Sequence, residues 1–497
     1  MSMRIGGLIS GLQTENLISK LMQVESQPME LMKTRKHTYE LRKDLWNEIN
    51  SSLLALKNKV TDNISSSTAI LKKKAVSSDE TVFTASAGAS AANSTYNIDI
   101  TTIAKSQRIV GTTQATGALG LSGSFQIGDG TYTSTVTVGA TDTLATIASR
   151  INSAKDDTDP TKSLQISASV VNNILVLEHK ETGAANTMTL TDTVNTPGST
   201  GTDEIMESLG ILTDAKTIGN QQQAATDAQF EVNGISVTRS ANAGLTDVIS
   251  GVSLTLKKEG VSGTLTVQGD IDAGLNSIKD WVNQYNSTID LIGTRLAEQS
   301  VAGATTDAVK SKGLLKGDSI LSDIKTQLRL NTSKTVAGLA IYDNLSDIGI
   351  TTSSDDFGKS GRLTIDETKL RAALEANPDE VTNLFTNNTD LNGDGSITSD
   401  EKGIAVRLTE QLDYLTTTST KVIGGVTVKA GTIKARIDSE DKVINDYDKK
   451  IKDFEMRLKQ REDNLWNQFN AMEKALSNMQ NQASWLAGQL ASLDNSQ

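Results

Sequence analysis

The chain is predicted to be an α+β multidomain protein, with terminal coiled-coil helices, a helical domain and two nested antiparallel β-rich domains. Three observations predict this. The last sixty residues place an apolar side chain at every seventh position: Ile437, Ile444, Ile451, Leu458, Leu465, Met472, Met479, Leu486 and Leu493. Met32, Tyr39, Trp46, Leu53 and Val60 repeat the same spacing near the other end. Between the two rows lies a long region rich in Ser, Thr, Ala and Gly, where apolar and polar residues alternate.

A strict seven-residue repeat keeps one narrow seam facing a partner helix and implies a left-handed supercoil. A helix of that span would be roughly 85 Å long, too long for a compact domain. Its second seam position shifts from Tyr447 and Phe454 to Phe469, Leu476, Ala483 and Leu490, so the seam drifts and partners are expected to differ along its length. The N-terminal helix is the natural partner. Thr14 is the expected N-cap, Leu17, Leu21, Val24 and Leu31 form a further apolar stripe, and Pro28 is expected to kink it. A lone terminal helix has nothing to bury its stripe, so the last sixty residues are expected to be poorly ordered and protease-sensitive in the isolated protein.

From Ala75 the pattern changes. TVFTASAG and TYNIDITTIAKSQRIV read as half-exposed strands of an antiparallel sheet. Residues 107–224 read as a separate unit. It has a hairpin around Gly128-Asp129-Gly130, a short helix with Leu144, Ile147 and Ile151 on one face, and two strands turning at Asn172-Asn173. AQFEVNGISVTRS, VISGVSLTLKKE and GTLTVQGD return to the earlier strand style. Helical spacing resumes with Leu275, Ile278, Trp281, Val282, Tyr285, Ile289 and Ile292, and residues 313–387 are mixed but mostly helical. The expected domains are 1–45 with 435–497 (terminal coil), 46–75 with 270–434 (helical), 76–106 with 225–269 (β-rich), and 107–224 inserted into the last.

At 497 residues the chain is long enough for three or four domains. A net charge of −12 argues against nucleic-acid or anionic-membrane surfaces. Half of that charge falls in residues 107–224, with six Lys/Arg against twelve Asp/Glu. The absence of Cys excludes disulfides, thiolate metal sites and cysteine catalysis. No run approaches the ~20 apolar residues of a membrane span. The opening MSMRIGGLISGLQTENLISKL has no charged, apolar and small-residue sequence of regions, so export without a cleaved signal peptide is one of two open readings, the other being cytoplasmic. The only two histidines, His37 and His179, read as surface or satisfied groups. No catalytic constellation, phosphate loop or nucleophile elbow occurs, so an enzyme is not expected.

One segment carries chemistry. DLNGDGSITSDE matches the EF-hand calcium loop, with Asp390, Asn392 and Asp394 at positions 1, 3 and 5, Gly395 at 6 and Glu401 at 12. Calcium wants six to eight oxygens, and Ser396 would add its carbonyl and Thr398 a direct or water-mediated contact. Ile397 is expected to fix the loop to the core. PDEVTNLF and KGIAVRLTEQLDYL are the expected entering and exiting helices. A single loop of this kind suits an affinity on the order of 10⁻⁴–10⁻³ M.

Several segments, in order, resemble the flagellar filament-capping family, also called hook-associated protein 2. They are GGLISGLQTENLISKLMQVESQPMELM, NSTYNIDITTIAKSQRI, FEVNGISVTRSANAGLTDVISGVSLTLKKEG, DWVNQYNSTIDLI, LSDIGITTSSDDFGKSGRLTIDETKLRAALEANPDEVTNLF and NQFNAMEKALSNMQNQASWLAGQL. The resemblance implies a coiled leg made by the termini, a helical domain beside it and two outermost β-rich head domains. It implies a homo-oligomeric ring, usually of five or six subunits, at the distal tip of the bacterial flagellum. There it would promote flagellin folding and polymerisation and prevent flagellin loss. Implied partners are flagellin, the hook–filament junction proteins and an export chaperone for the C-terminal region, with type III export and, in some members, adhesion. Family members generally lack the EF-hand-like loop, so calcium is a reading of residues 386–401 and not of the family. A secreted adhesin with a coiled stalk is the alternative, which would bind glycan through residues 107–224. A hook–filament junction protein would share the sticky termini without the nested middle.

Overall fold

A computed structural model defines the fold; the residues described below are 13–192, 204–354, 358–391, 393 and 395–494, the last four without their side chains. The chain divides into two compact units, residues 71–271 and residues 1–70 with 272–497.

Residues 71–271 form antiparallel sheets around two separate cores. The first core lies under a five-stranded sheet. Its order is Lys73–Ser77, Val261–Gly269, Ser94–Thr102, Ala228–Val232 and Ile235–Arg239. A three-stranded sheet of Leu245–Ile249, Val252–Leu256 and Phe83–Ala87 completes it. Alternation drives this packing: Ile98 and Ile100 of one strand and Phe230 and Val232 of its neighbour are buried, while the residues between them are exposed. Asn233 takes φ +51°, which the tight hairpin turn before Ile235 requires and which Asn tolerates.

Between Thr102 and Ala228 the chain builds the second core. One sheet runs Gln221–Gln223, Arg108–Thr113, Ile174–His179 and Ile166–Val171, and another Thr133–Val138, Gly123–Gly128 and Thr189–Asp192. The helix Leu144–Asn152 is capped by Thr143 and buries Leu144, Ile147 and Ile151 with Phe125, Ile127, Leu175 and Leu177. Asn172 and Asn173 both adopt positive φ at the turn between Val171 and Ile174, as the hairpin expectation requires. Of the two readings, surface or satisfied, His179 is the satisfied one: it is 2% exposed, with Nδ1 3.0 Å from the Glu181 carbonyl and Nε2 3.2 Å from the Asp129 carbonyl. The strand's alternation points it inward.

The other unit is helical. The N-terminal helix Thr14–Asn63 starts one residue earlier than a Thr14 cap would place it, with Gln13 as its N-cap, and it runs through Pro28. Its later half is core: Trp46, Ile49, Leu53, Leu56 and Val60 are fully buried. There it meets the helix Ile271–Ala297 through Ser52 Oγ to Thr288 Oγ1 (3.0 Å), Asn63 Nδ2 to the Ser277 carbonyl (3.0 Å) and an Arg295–Glu48 ion pair (2.7 Å). Trp281 of that helix is buried edge-on against Phe385, with centroids 5.7 Å apart and planes at 81°. Further helices of this unit include Ser319–Ser333, Glu367–Ala376, Pro378–Thr386 and Ile404–Thr416.

Candidate functional site

Two features of the helical unit bear on function: the terminal coil and the loop at 390–401. The C-terminal helix Thr432–Asp494 lies antiparallel to the first half of the N-terminal helix. The register is set by Lys43–Asp441 (2.6 Å), Lys36–Asp448 (2.6 Å) and Arg461–Glu25 (3.0 Å). Tyr39 and Tyr447 pack with centroids 5.8 Å apart, and Ile18, Leu465 and Trp466 close the far end with Met22 and Phe469. Arg42 and Arg436 flank the buried Glu440 carboxylate at 3.6 and 3.5 Å where the coil leaves the helical body.

The seam residues are covered unequally. Ile451 and Leu465 are buried and Ile437, Ile444 and Leu458 half-buried, whereas Met472, Met479 and Leu486 are exposed. Leu493 lies in the helix, but its side chain is outside the described residues. The first helix, the partner expected for this row, packs on it as far as Phe469; beyond it Leu476 is half-buried and Met472, Met479 and Leu486 are exposed.

The loop follows the helix Pro378–Thr386, which opens on a proline at its first position, and precedes Ile404–Thr416. Its neck is narrow. The Gly403 amide donates to the Asn387 carbonyl at 2.7 Å and the Asn387 side-chain amide to the Glu401 carbonyl at 2.5 Å. Gly403 has an ordinary φ of −60°, but a Cβ there would stand 2.3 Å from the Phe385 carbonyl oxygen. Asp390 accepts from the amides of Gly393 and Gly395, each at 2.7 Å, and Gly395 takes φ +87°. Glu401 is 2% exposed and joins the loop's ends: it accepts from the Leu391 amide (3.2 Å) and from the Thr398 amide and hydroxyl (both 2.9 Å). Thus Glu401, at position 12, joins Thr398 at position 9 to the backbone just after Asp390 at position 1. Ser396 and Thr398 are exposed, and Asn392 and Asp394 lie outside the described residues.

Ile397 does not fix the loop to the core; it is 42% exposed. That task falls to the segment after Ser333, which sequence reading did not single out. Asp400 ion-pairs with Lys334, and its carbonyl accepts from the Ala337 amide at 2.8 Å. Leu391 packs against Gly338. Buried Arg407 donates to the carbonyls of Lys334 and Thr335 at 2.8 and 3.1 Å, and its burial holds the guanidinium below its ordinary range. No sequence pattern marks these contacts, because they join residues some seventy positions apart. Among the described residues, no group of three or more His, Cys, Asp or Glu side chains is gathered as a metal cage. What the described residues offer calcium is an all-oxygen set, Asp390, Thr398, Glu401 and the Ser396 carbonyl, suited to a hard cation.

Comparison with known proteins follows from this architecture. Residues 10–107 match the family model for the flagellar hook-associated protein 2 N-terminus, and residues 225–481 that for its C-terminus. Residues 108–224, which hold the second β core, fall between the two matches. Flagellar hook-associated protein 2 of Halalkalibacterium halodurans is 29% identical, with 96% of this chain and 97% of that protein covered. The protein of the same name from Escherichia coli K12 is 27% identical over 99% of this chain and 98% of its own length. Among solved structures, the D1-D2-D3 domains of the flagellar cap protein FliD from Escherichia coli match with a TM-score of 0.55 and 28% identity, covering 80% of this chain and 99% of that one. Two family models flanking the inserted β unit, relatives aligned over nearly their whole length and a shared architecture together place the chain in the flagellar hook-associated protein 2 family.

Proposed function

We propose that this chain is the filament cap at the distal end of the bacterial flagellum, a structural protein that holds the tip while flagellin folds and polymerises beneath it. The observation that carries this reading is the likeness to the Escherichia coli cap domains, which extends over 99% of that structure. The terminal coil supports it, since its first stretch is tied to the helical unit by ion pairs and stacked rings, while its last part carries uncovered apolar side chains. The working form is a ring of copies, of five or six subunits, in contact with flagellin and the hook–filament junction proteins. Export through the flagellar channel with a dedicated chaperone, without a cleaved signal, belongs to the same reading. No helix among the described residues is long and apolar enough to cross a membrane. No observation favours the adhesin alternative. The test is complementation of a cap-deficient strain by the full chain. Restored filament length with little flagellin shed into the medium is expected, and continued shedding by a folded, exported chain would overturn the reading.

We also propose that residues 390–401 bind calcium as a structural ion, held by Asp390, Asn392, Asp394, the Ser396 carbonyl, Thr398 and Glu401. The twelve-residue pattern, and the buried Glu401 carboxylate that ties Thr398 to the Leu391 amide next to Asp390, support it. The ion's role would be to draw the two flanking helices together against carboxylate repulsion. Calcium at about a hundred times its dissociation constant should stabilise the native chain by about 2.7 kcal/mol. A calcium-dependent rise in melting temperature that Asp390→Ala and Glu401→Gln both lack is expected. The same rise in the variants, or none in the native chain, would refute the site.

A further inference from the structure

The N-terminal helix carries two rows of side chains. One row, through Ile18, Met22, Glu25, Tyr39 and Trp46, meets the C-terminal helix. The other runs Leu17, Leu21, Val24, Pro28 and Leu31, in alternating steps of four and three. That spacing keeps all five on one face of the helix. All five are exposed, Val24 by 61%. Past Leu31 the row turns polar at Arg35 and Thr38, which limits the apolar face to roughly 21 Å of helix.

The C-terminal helix has the complementary problem. Its seam packs on the first helix as far as Leu465, Trp466 and Phe469, and then continues through Met472, Met479, Leu486 and Leu490, all exposed, Met479 by 63%, with Leu476 between them half-buried. The antiparallel register of Glu25–Arg461 and Lys36–Asp448 carries Met479 and Leu486 beyond Thr14, where the described first helix begins. Intrachain pairing within the described residues therefore leaves both stripes in water. Apolar stripes of this size on one coil mark a surface that another chain covers.

We propose that the Leu17–Leu31 face of one copy receives the Met472–Leu490 stripe of the C-terminal helix of a second copy. Continuity picks this occupant. The stripe prolongs the seam that already packs on this same first helix within one chain, with apolar side chains at the same seven-residue spacing. Its described length of roughly 27 Å is enough to cover the receiving face. The two surfaces differ, so the contact is head-to-tail, and repetition closes a ring or extends a row. The inference rests on the ring-forming cap reading and names the surface through which legs of neighbouring copies meet.

The chain has no cysteine, which makes the test direct. Full-length Val24→Cys and Met479→Cys proteins, both altered at exposed positions, are mixed and joined with a short bismaleimide. An Ile235→Cys protein, exposed on a sheet edge, serves as the control partner for each. The expected result is a mixed Val24–Met479 dimer several-fold above either control pair, lost when Leu21→Gln and Leu31→Gln are added to the Val24→Cys chain. A mixed yield no higher than the controls, a dominant Val24–Val24 product or a chain that stays monomeric at every concentration overturns the proposal. Complementation of the cap-deficient strain is read separately. A chain that retains flagellin but gives no mixed product fails this inference alone, and one that cross-links as expected but sheds flagellin fails the cap reading.

Discussion

Gly403 closes the neck of the 390–401 loop, and replacing it with alanine isolates the cost of that closure. Its backbone, at φ −60° and ψ 158°, is available to any residue, so no conformational penalty enters. The whole effect is steric. An added Cβ would sit 2.3 Å from the Phe385 carbonyl oxygen, 2.5 Å from its carbonyl carbon and 2.7 Å from the Asn387 nitrogen. All three are backbone atoms, so no side chain can swing away. Relief requires the end of the helix Pro378–Thr386 and the start of Ile404–Thr416 to part by about an ångström, the scale on which overpacking costs ~1–3 kcal/mol. That movement also pulls on the Gly403–Asn387 and Asn387–Glu401 hydrogen bonds, each contributing ~0.5–1.5 kcal/mol. The expected loss is about 2–4 kcal/mol. Denaturant unfolding of the full chain measures it, with Gly303→Ala as the comparison. Gly303 has φ +72° and open space around its Cβ position, so its substitution carries the left-handed backbone cost alone, ~1–2 kcal/mol. A Gly403→Ala chain as stable as the native one, or less affected than Gly303→Ala, would refute the steric account of the neck.

Other outcomes follow from single contacts. Buried Asn286 donates to the Leu363 carbonyl at 2.8 Å and accepts from the Leu363 amide at 2.7 Å, so Asn286→Ala strands two backbone groups and should cost about 2–4 kcal/mol in denaturant unfolding. The Asp307 carboxylate, 2.8 Å from His37 Nε2, holds the His37 imidazolium above its ordinary range, and His37 in turn holds Asp307 below its own. Because the His37 value is raised on folding, its contribution is complete below pH 6.5 and is lost as pH rises through the raised value. The Asp307 contribution is lost at the acid end, as pH falls through its depressed value. Amide exchange in residues 300–316 should accelerate as pH rises through the His37 transition, beyond the intrinsic base-catalysed rate, and His37→Gln should abolish that excess. Limited proteolysis of dilute protein should cut within residues 473–490 well before residues 440–466, which ion pairs and aromatic contacts hold to the first helix; equal rates would contradict the coil register.

Much of the architecture is legible in local patterns because those patterns are local physics. Ile98–Ile100 alternation and the Asn172-Asn173 and Asn233-Gly234 turns report strands and hairpins directly, since side-chain period and backbone handedness are properties of a few adjacent residues. The seven-residue row from Ile437 likewise identifies a long helix, and the EF-hand spacing identifies a loop with helices on both sides. What periodicity cannot say is what covers a row. Only the antiparallel register of the two terminal helices separates the buried Leu465 from the exposed Met479, fourteen residues apart in one unbroken pattern. Ile397 looked like a core contact by its place in the loop, yet the loop is held instead by Asp400 and Leu391 against residues 334–338, and by Arg407 on their carbonyls. His179 sits at a strand end in the sequence and in the second core's interior in space. These are choices among non-local partners, made by burial and hydrogen-bond closure across distant segments, and they exist only once the chain is folded.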